Sequence, residues 1–396
     1  MVGRRHLRLL APVFLVFAGL GVGAACSSSS SNPSAGPSGE AVVDASTTDF
    51  STSVDAAAPE DAGDPMDIDG GPAPAPPVGA AITGITLADG WTDPRALTAD
   101  IDTEGWEDSS YIAASGKRLY FGYSRLDYDS ISNGAFALSG PTRMGSTRDT
   151  FEIYEATITG GAWNVLHSTA NYSGPQSEAA EGVDDAETLM PLIRFDGSAN
   201  QGDIYITRKV AGVWGVSTKL PAPINTACVE DNAAISGDGQ RLYFDSNRAD
   251  AKGTTCKATS GSDSRDIYVS TLTNGAWSDP VAVTGEPAMG IIHWQVYPRR
   301  DQTELYWSGF DSTCGNSNCI YRATKKADGS YGDRVVVMKA VPKDQAMPGD
   351  AYGLGEVSIT HDGRFMYFTY ILRESVDGGF DGGAHDNLNI GVARKP

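Results

Sequence analysis

Histidine and cysteine are scarce in this sequence, five of each in 396 residues. His167, His361 and His385 are scattered, with no spacing that suggests a metal site or a catalytic triad. There is no Gly-x-Ser-x-Gly elbow, no glycine-rich phosphate loop and no paired-histidine helix. These absences argue against a serine hydrolase, a P-loop nucleotidase and a zinc peptidase. Positive charge is also short, with 30 Lys and Arg against 50 Asp and Glu and a net charge of −20. That balance argues against nucleic acid as a partner and against electrostatic adhesion to anionic lipid. Long apolar runs are missing except over residues 9–25, so nothing else in the sequence is suited to cross a bilayer as a helix.

That one run has a function of its own. Arg4, Arg5 and Arg8 precede it, Pro12 interrupts it, and small residues end it. This is the pattern of a secretory signal over residues 1–25, with an uncleaved anchor as the alternative. The end of the signal, Gly23-Ala24-Ala25-Cys26, resembles the lipobox of bacterial lipoproteins, with Gly23 where Leu is more usual. The resemblance implies lipidation of Cys26, and Ser27 after it resembles proteins sent on to the outer membrane. Lipid chains would anchor the protein stably, since each buried methylene contributes roughly 0.8 kcal/mol. The expected location is therefore the bacterial cell envelope, with membrane contact through the lipid only.

Residues 26–81 are rich in Ser, Ala, Pro and Asp, and between Glu40 and Asp69 there are nine acids and no Lys or Arg. Such a stretch buries too little apolar surface to offset ordering entropy, so a disordered tether is expected. The remainder, 82–396, is expected to be one folded domain and a monomer.

That remainder repeats a phrase. Its clearest copy is Glu230-Asp231, Asp238-Gly239, Leu242-Tyr243-Phe244, Asp266-Ile267-Tyr268 and Gly275-Ala276-Trp277. Short apolar blocks bounded by turn residues describe four antiparallel strands, and repetition of such a unit makes an all-β propeller. Further second strands read Leu119-Tyr120-Phe121, Leu305-Tyr306-Trp307 and Met366-Tyr367-Phe368. The second unit lacks this signal and carries Leu192-Ile193-Arg194-Phe195 instead, so a short or irregular blade is expected there. The last unit ends after its third strand, while an early Gly90-Trp91 strand has no unit of its own. The two gaps fit each other: an N-terminal strand completes the last blade and closes the ring. Five blades are expected, with six as the alternative if a blade lies near 165–190. The combined motifs resemble the WD40-like repeat of TolB-type propellers over about 90–396.

Candidate site residues follow from the blade layout. Loops 124–149, 246–265, 309–318 and 374–387 are long and share one face, where function usually sits on such scaffolds. Cys228, Cys256, Cys314 and Cys319 fall on that face and suggest two disulfides, as an exported chain would allow. Glu107, Asp108, Glu187, Glu230, Asp231, His293, Trp294 and Glu356 stand where inner strands should begin, around a central funnel. Acids there could bind a cation or a sugar, or do acid–base chemistry. The plainer reading is that a glutamate caps the link between blades in each repeat. Asp377, Asp381 and Asp386, spaced by glycines, could wrap Ca²⁺.

Two functions are weighed. The leading expectation is a non-enzymatic binding or scaffolding module for an envelope protein or a polysaccharide. The alternative is a glycoside hydrolase. Glu107-Asp108-Ser109-Ser110-Tyr111-Ile112 is similar to the first blade of five-bladed furanosidase-type glycosidases. That resemblance implies Asp108 as base, with Glu187 and Asp231 as acid and modulator. Acids converging in one pocket would favour hydrolysis, and five equivalent caps would favour a scaffold.

Overall fold

The computed structural model describes residues 71–132, 137–142, 151–167, 172, 177–180, 182–195, 202–257, 265–288, 293–311, 313–315, 317–375 and 385–396. They form five antiparallel sheets in the order of the chain. Blade 1 is Trp106–Ile112, Arg118–Ser124, Glu152–Thr159 and Ala162–His167. Blade 2 is Ser177–Ala180, Leu189–Phe195 and Gly202–Val210, with an outer edge broken into Val213–Trp214 and Thr218–Lys219. Blade 3 is Glu230–Ile235, Arg241–Ser246 and Asp266–Thr273, with the edge pieces Ala276–Trp277 and Val281–Ala282. Blade 4 is His293–Pro298, Glu304–Gly309, Cys319–Lys325 and Tyr331–Ala340, and blade 5 begins Ala351–Ile359, Phe365–Ser375 and His385–Arg394.

The chain start completes the ring. Thr92–Leu97 pairs with His385–Arg394, in register Gly391↔Ala96, and gives blade 5 its fourth strand. Val78–Ala81 adds outside it, and Ile85–Leu87 adds to the edge of blade 4, in register Ile85↔Ala340. Residues before the boundary expected at 82 are thus part of the propeller. One N-terminal stretch stitches two neighbouring blades and covers edges that would otherwise pair with other chains. Among the described residues of 165–190 there is no sixth blade: they are the edge of blade 1 and the inner strand, turn and second-strand start of blade 2.

The second strands are apolar without alternation because neighbouring blades cover both of their faces. Leu119, Tyr120 and Phe121 are buried, as are Leu242, Tyr243 and Phe244. Phe121 joins Tyr154, Trp163, Tyr367 and Ile390 between blades 1 and 5. Phe244 joins Ile193, Ile204 and Tyr268 between blades 2 and 3. Each such side chain contributes roughly 1.5–3 kcal/mol on burial. Leu192–Phe195, expected to stand in for a missing strand, belongs to a full second strand paired from Leu189 to Phe195. The expected disulfides are formed, Cys228–Cys256 and Cys314–Cys319.

Candidate functional site

The inner strands carry one device in common. Register shifts fall at Asp108/Tyr111, Asp231/Ala234, Trp294/Tyr297 and Gly355/Ser358. Inside each bulge a non-glycine residue takes a left-handed backbone: Ser109 (φ 52°), Asn232 (φ 47°), Gln295 (φ 55°) and Glu356 (φ 34°). Such conformations cost on the order of 1–3 kcal/mol each and cluster where function needs them. A bulge also re-aims its side chain. These four polar residues, with Tyr111 and Tyr297, line a small central cavity of about 20 Å³. Ser109 and Asn232 were missed in the sequence, where their only signal is the position one residue after each Glu-Asp pair.

Within each Glu-Asp pair the two acids divide the work. Glu107 is fully buried and accepts hydrogen bonds from Thr103 N (3.2 Å) and Thr103 Oγ1 (2.6 Å). Glu230 does the same with Thr226 N (2.8 Å) and Oγ1 (2.6 Å), and also accepts from Ser246 Oγ (3.2 Å) and Arg248 Nη2 (2.8 Å). Burial pushes the Glu230 carboxyl up, against the pull of the Thr226 donors. Both glutamates are clasps on the link entering the blade; of the described acids, Glu356 alone is among the residues that line the cavity, with Asp108 and Asp231 one position before Ser109 and Asn232, which do.

The aspartates stand differently. Asp108 accepts from Trp106 Nε1 at 3.3 Å, and Glu356 of blade 5 lies next to it. Burial raises the Asp108 carboxyl against the pull of Glu356, which itself accepts from Ser109 N (2.5 Å) and Gln295 Nε2 (3.3 Å). Asp231, in blade 3, is ion-paired with Arg265 (3.1 Å) and accepts from Asn232 N (3.0 Å). Arg265 also approaches Asp245 (3.6 Å), which accepts from Asn232 Nδ2 (2.8 Å).

Glu187 is not in this group. It lies between the first two strands of blade 2, in the turn at the other end of the propeller, bonded to Tyr120 OH (3.1 Å) and near Arg118 (3.3 Å) and Lys209 (3.7 Å). Burial raises its carboxyl as well. The residue that opens blade 2 is Glu178, 3.5 Å from Arg194. His293 and Trp294 begin the inner strand of blade 4, paired with Gly309 and Ser308. Asp377 and Asp381 lie outside the described residues. Asp386 accepts from Arg373 Nε (2.6 Å) and Tyr352 OH (2.7 Å).

Below the cavity, at the turn face, Arg300 of blade 4 reaches Asp185 of blade 2 (2.6 Å) and the Ile112 carbonyl of blade 1 (2.6 Å). Its guanidinium lies over Tyr111, 5.4 Å from the ring centre. Three blades are tied together there across the axis.

No family model matches the chain, and no curated protein matches it. Solved structures do resemble it. The catalytic domain of a Coprinopsis cinerea GH62 alpha-L-arabinofuranosidase is 11% identical, covering 80% of this chain and 96% of that one, with a TM-score of 0.41. An alpha-L-arabinofuranosidase from Podospora anserina is 10% identical over 76% and 94%, with a TM-score of 0.40. One from Lactobacillus brevis is 13% identical over 72% and 90%, with a TM-score of 0.38. At these identities the likeness is one of fold. It does not support the TolB-type resemblance, of which the five-bladed propeller alone stands. The expectation of a non-enzymatic binding or scaffolding module is also corrected. Among the solved structures that resemble this propeller are glycoside hydrolases, together with a neuraminidase-like protein and a protein of unknown function. What the chain shares with these proteins is the fold.

Proposed function

We propose that this protein is a glycoside hydrolase whose site is the central cavity. The observation that carries the reading is the Asp108–Glu356 pair, a carboxyl raised by burial beside a second one that lines the cavity. Hydrolysis of a glycosidic bond needs one carboxyl to protonate the leaving oxygen and another to take a proton from water or to bond the sugar carbon. Acid and partner must then stand roughly 5–5.5 or 6.5–9.5 Å apart. Asp108 and Glu356 are neighbours and act as one unit. Asp108 delivers its proton to the leaving oxygen, and Glu356 holds that proton in place until then. Asp231 is the second carboxylate. Blade 3 lies opposite the seam of blades 5 and 1 in a five-membered ring, so Asp231 approaches the sugar from the other side. The role expected for Asp108 changes from base to acid, because burial favours its neutral form.

The entry of the chain fits an envelope enzyme. Ala73 N donates to Asp362 Oδ2 (2.8 Å) in a turn of blade 5, and Trp163 Nε1 donates to the Pro77 carbonyl (3.1 Å). A lipid anchor at Cys26 would thus hold the propeller by its turn face, with the long loops directed outward to polysaccharide.

The test is reducing-sugar release from a panel of plant and bacterial polysaccharides by the protein starting at residue 71. Release that falls ~10²–10⁴-fold in Asp231→Asn and persists in Glu187→Gln supports the reading. No release from any substrate, or equal release by Asp231→Asn, overturns it.

A further inference from the structure

The geometry points to a second site: we propose that Asp127, Asp129 and His385 bind one divalent transition ion of the zinc or manganese class at the seam between blades 1 and 5. One ligand atom from each residue lies within 4.8 Å of the others. That spread can close around a single ion with oxygen and nitrogen donors at about 2.0–2.2 Å. Ring closure alone brings them together. Asp127 and Asp129 follow the second strand of blade 1, and His385 opens the third strand of blade 5.

Each of the three is braced by a group outside the trio. Asp127 Oδ1 caps the short helix Tyr128–Ser132 by accepting from Ser130 N at 2.8 Å. Asp129 Oδ2 accepts from Asp386 N at 2.6 Å. His385 Nδ1 faces Glu374 Oε2 at 2.8 Å. A carboxylate on Nδ1 holds the ring as it is held in metal-binding histidines, by an outer-shell acceptor. The Nε2 atom faces Asp127 Oδ2 at 3.0 Å. A divalent ion would take the place of the proton between these two atoms and make both of them ligands.

Charge favours the same occupant. Asp127, Asp129, Glu374 and Asp386 meet here, and both Arg373 (2.6 Å) and Lys343 (3.6 Å) engage Asp386. One imidazole with two carboxylates suits zinc or manganese better than magnesium or calcium, which prefer oxygen alone. The ion would also steady the central cavity. Tyr128, between the two aspartates, meets Trp106 edge-on at 5.4 Å, and Trp106 donates to Asp108. Binding at the seam stands independently of whether Asp108 is catalytic.

The test uses the full chain, stripped with chelator and titrated with ZnCl₂ and with MnCl₂ by calorimetry and thermal melting. One equivalent of either ion should bind and raise Tm by about 5 °C at a hundredfold excess over Kd. His385→Gln should abolish both signals, and the exposed His361→Gln should keep them. Asp129→Asn, a milder change, should weaken binding tenfold or more. Absence of heat and of a Tm shift up to ~1 mM overturns the proposal, leaving His385 as a cation between two carboxylates. Undiminished binding by both His385→Gln and Asp129→Asn, or binding of Ca²⁺ alone, overturns it equally.

Discussion

Replacing Glu230 by Ala separates a clasp from a ligand-binding acid. Glu230 and Arg248 are fully buried and ion-paired at 2.8 Å. Removing one partner of a buried pair costs about 3–5 kcal/mol, because the other charge stays buried. Arg248 would keep the Pro223 carbonyl (2.9 Å), the Ile224 carbonyl (2.6 Å) and the faces of Phe244 and Tyr268 near 5 Å. Those contacts put the cost at the lower end, about 3 kcal/mol, or a fall in Tm of about 6–12 °C. Urea unfolding followed by tryptophan fluorescence, with disulfides intact, measures it. The double variant Glu230→Ala/Arg248→Met removes the stranded charge and should recover ~2 kcal/mol of the loss. Polysaccharide hydrolysis, corrected for folded fraction, should be unchanged. A Glu230→Ala protein within 1 kcal/mol of wild type, with hydrolysis lost, would refute the clasp.

Further outcomes follow from the same geometry. Asp108 is held above its ordinary value of 3.8 by burial, so hydrolysis should fall as pH rises through that raised value. The stability it contributes is present below 3.8 and lost over the same rise, and Asp108→Asn should flatten the Tm–pH curve in that window. Replacing Cys228 and Cys256 by Ala opens a loop of 28 residues and should cost on the order of 3–4 kcal/mol. The Cys314–Cys319 pair, five apart, should cost on the order of 2 kcal/mol, both read by denaturant midpoints. Gly285 has φ 97°, and a Cβ there would lie 2.0 Å from the Tyr331 carbonyl oxygen, so Gly285→Ala should lower Tm sharply by calorimetry.

The fold was legible because its signals are local. Leu-Tyr-Phe, Asp-Ile-Tyr and Gly-x-Trp mark strands buried on both faces, and ring closure followed from counting strands at the two chain ends. Blade 2 was harder, because Ser177-Glu178-Ala179-Ala180 is built from residues with little strand preference, and Pro191 and Arg194 interrupt the next strand. Glu187 was therefore assigned to a strand start and lies in a turn. Asp108, Asp231 and Glu356 could be listed as funnel acids from their place in the repeat. That Glu107 and Glu230 clasp the links while Asp108 stands beside Glu356 depends on the bulges, where one extra residue re-aims the side chains. Nothing local announces Asp127 beside His385, 258 residues apart and joined only by the closed ring.

The measurement that bears most directly on the account is reducing-sugar release by wild type and by Asp108→Asn on the same polysaccharide, at equal folded concentration. The account predicts release by the wild type and a loss of ~10²–10⁴-fold in the variant. Equal release by the two proteins would contradict it.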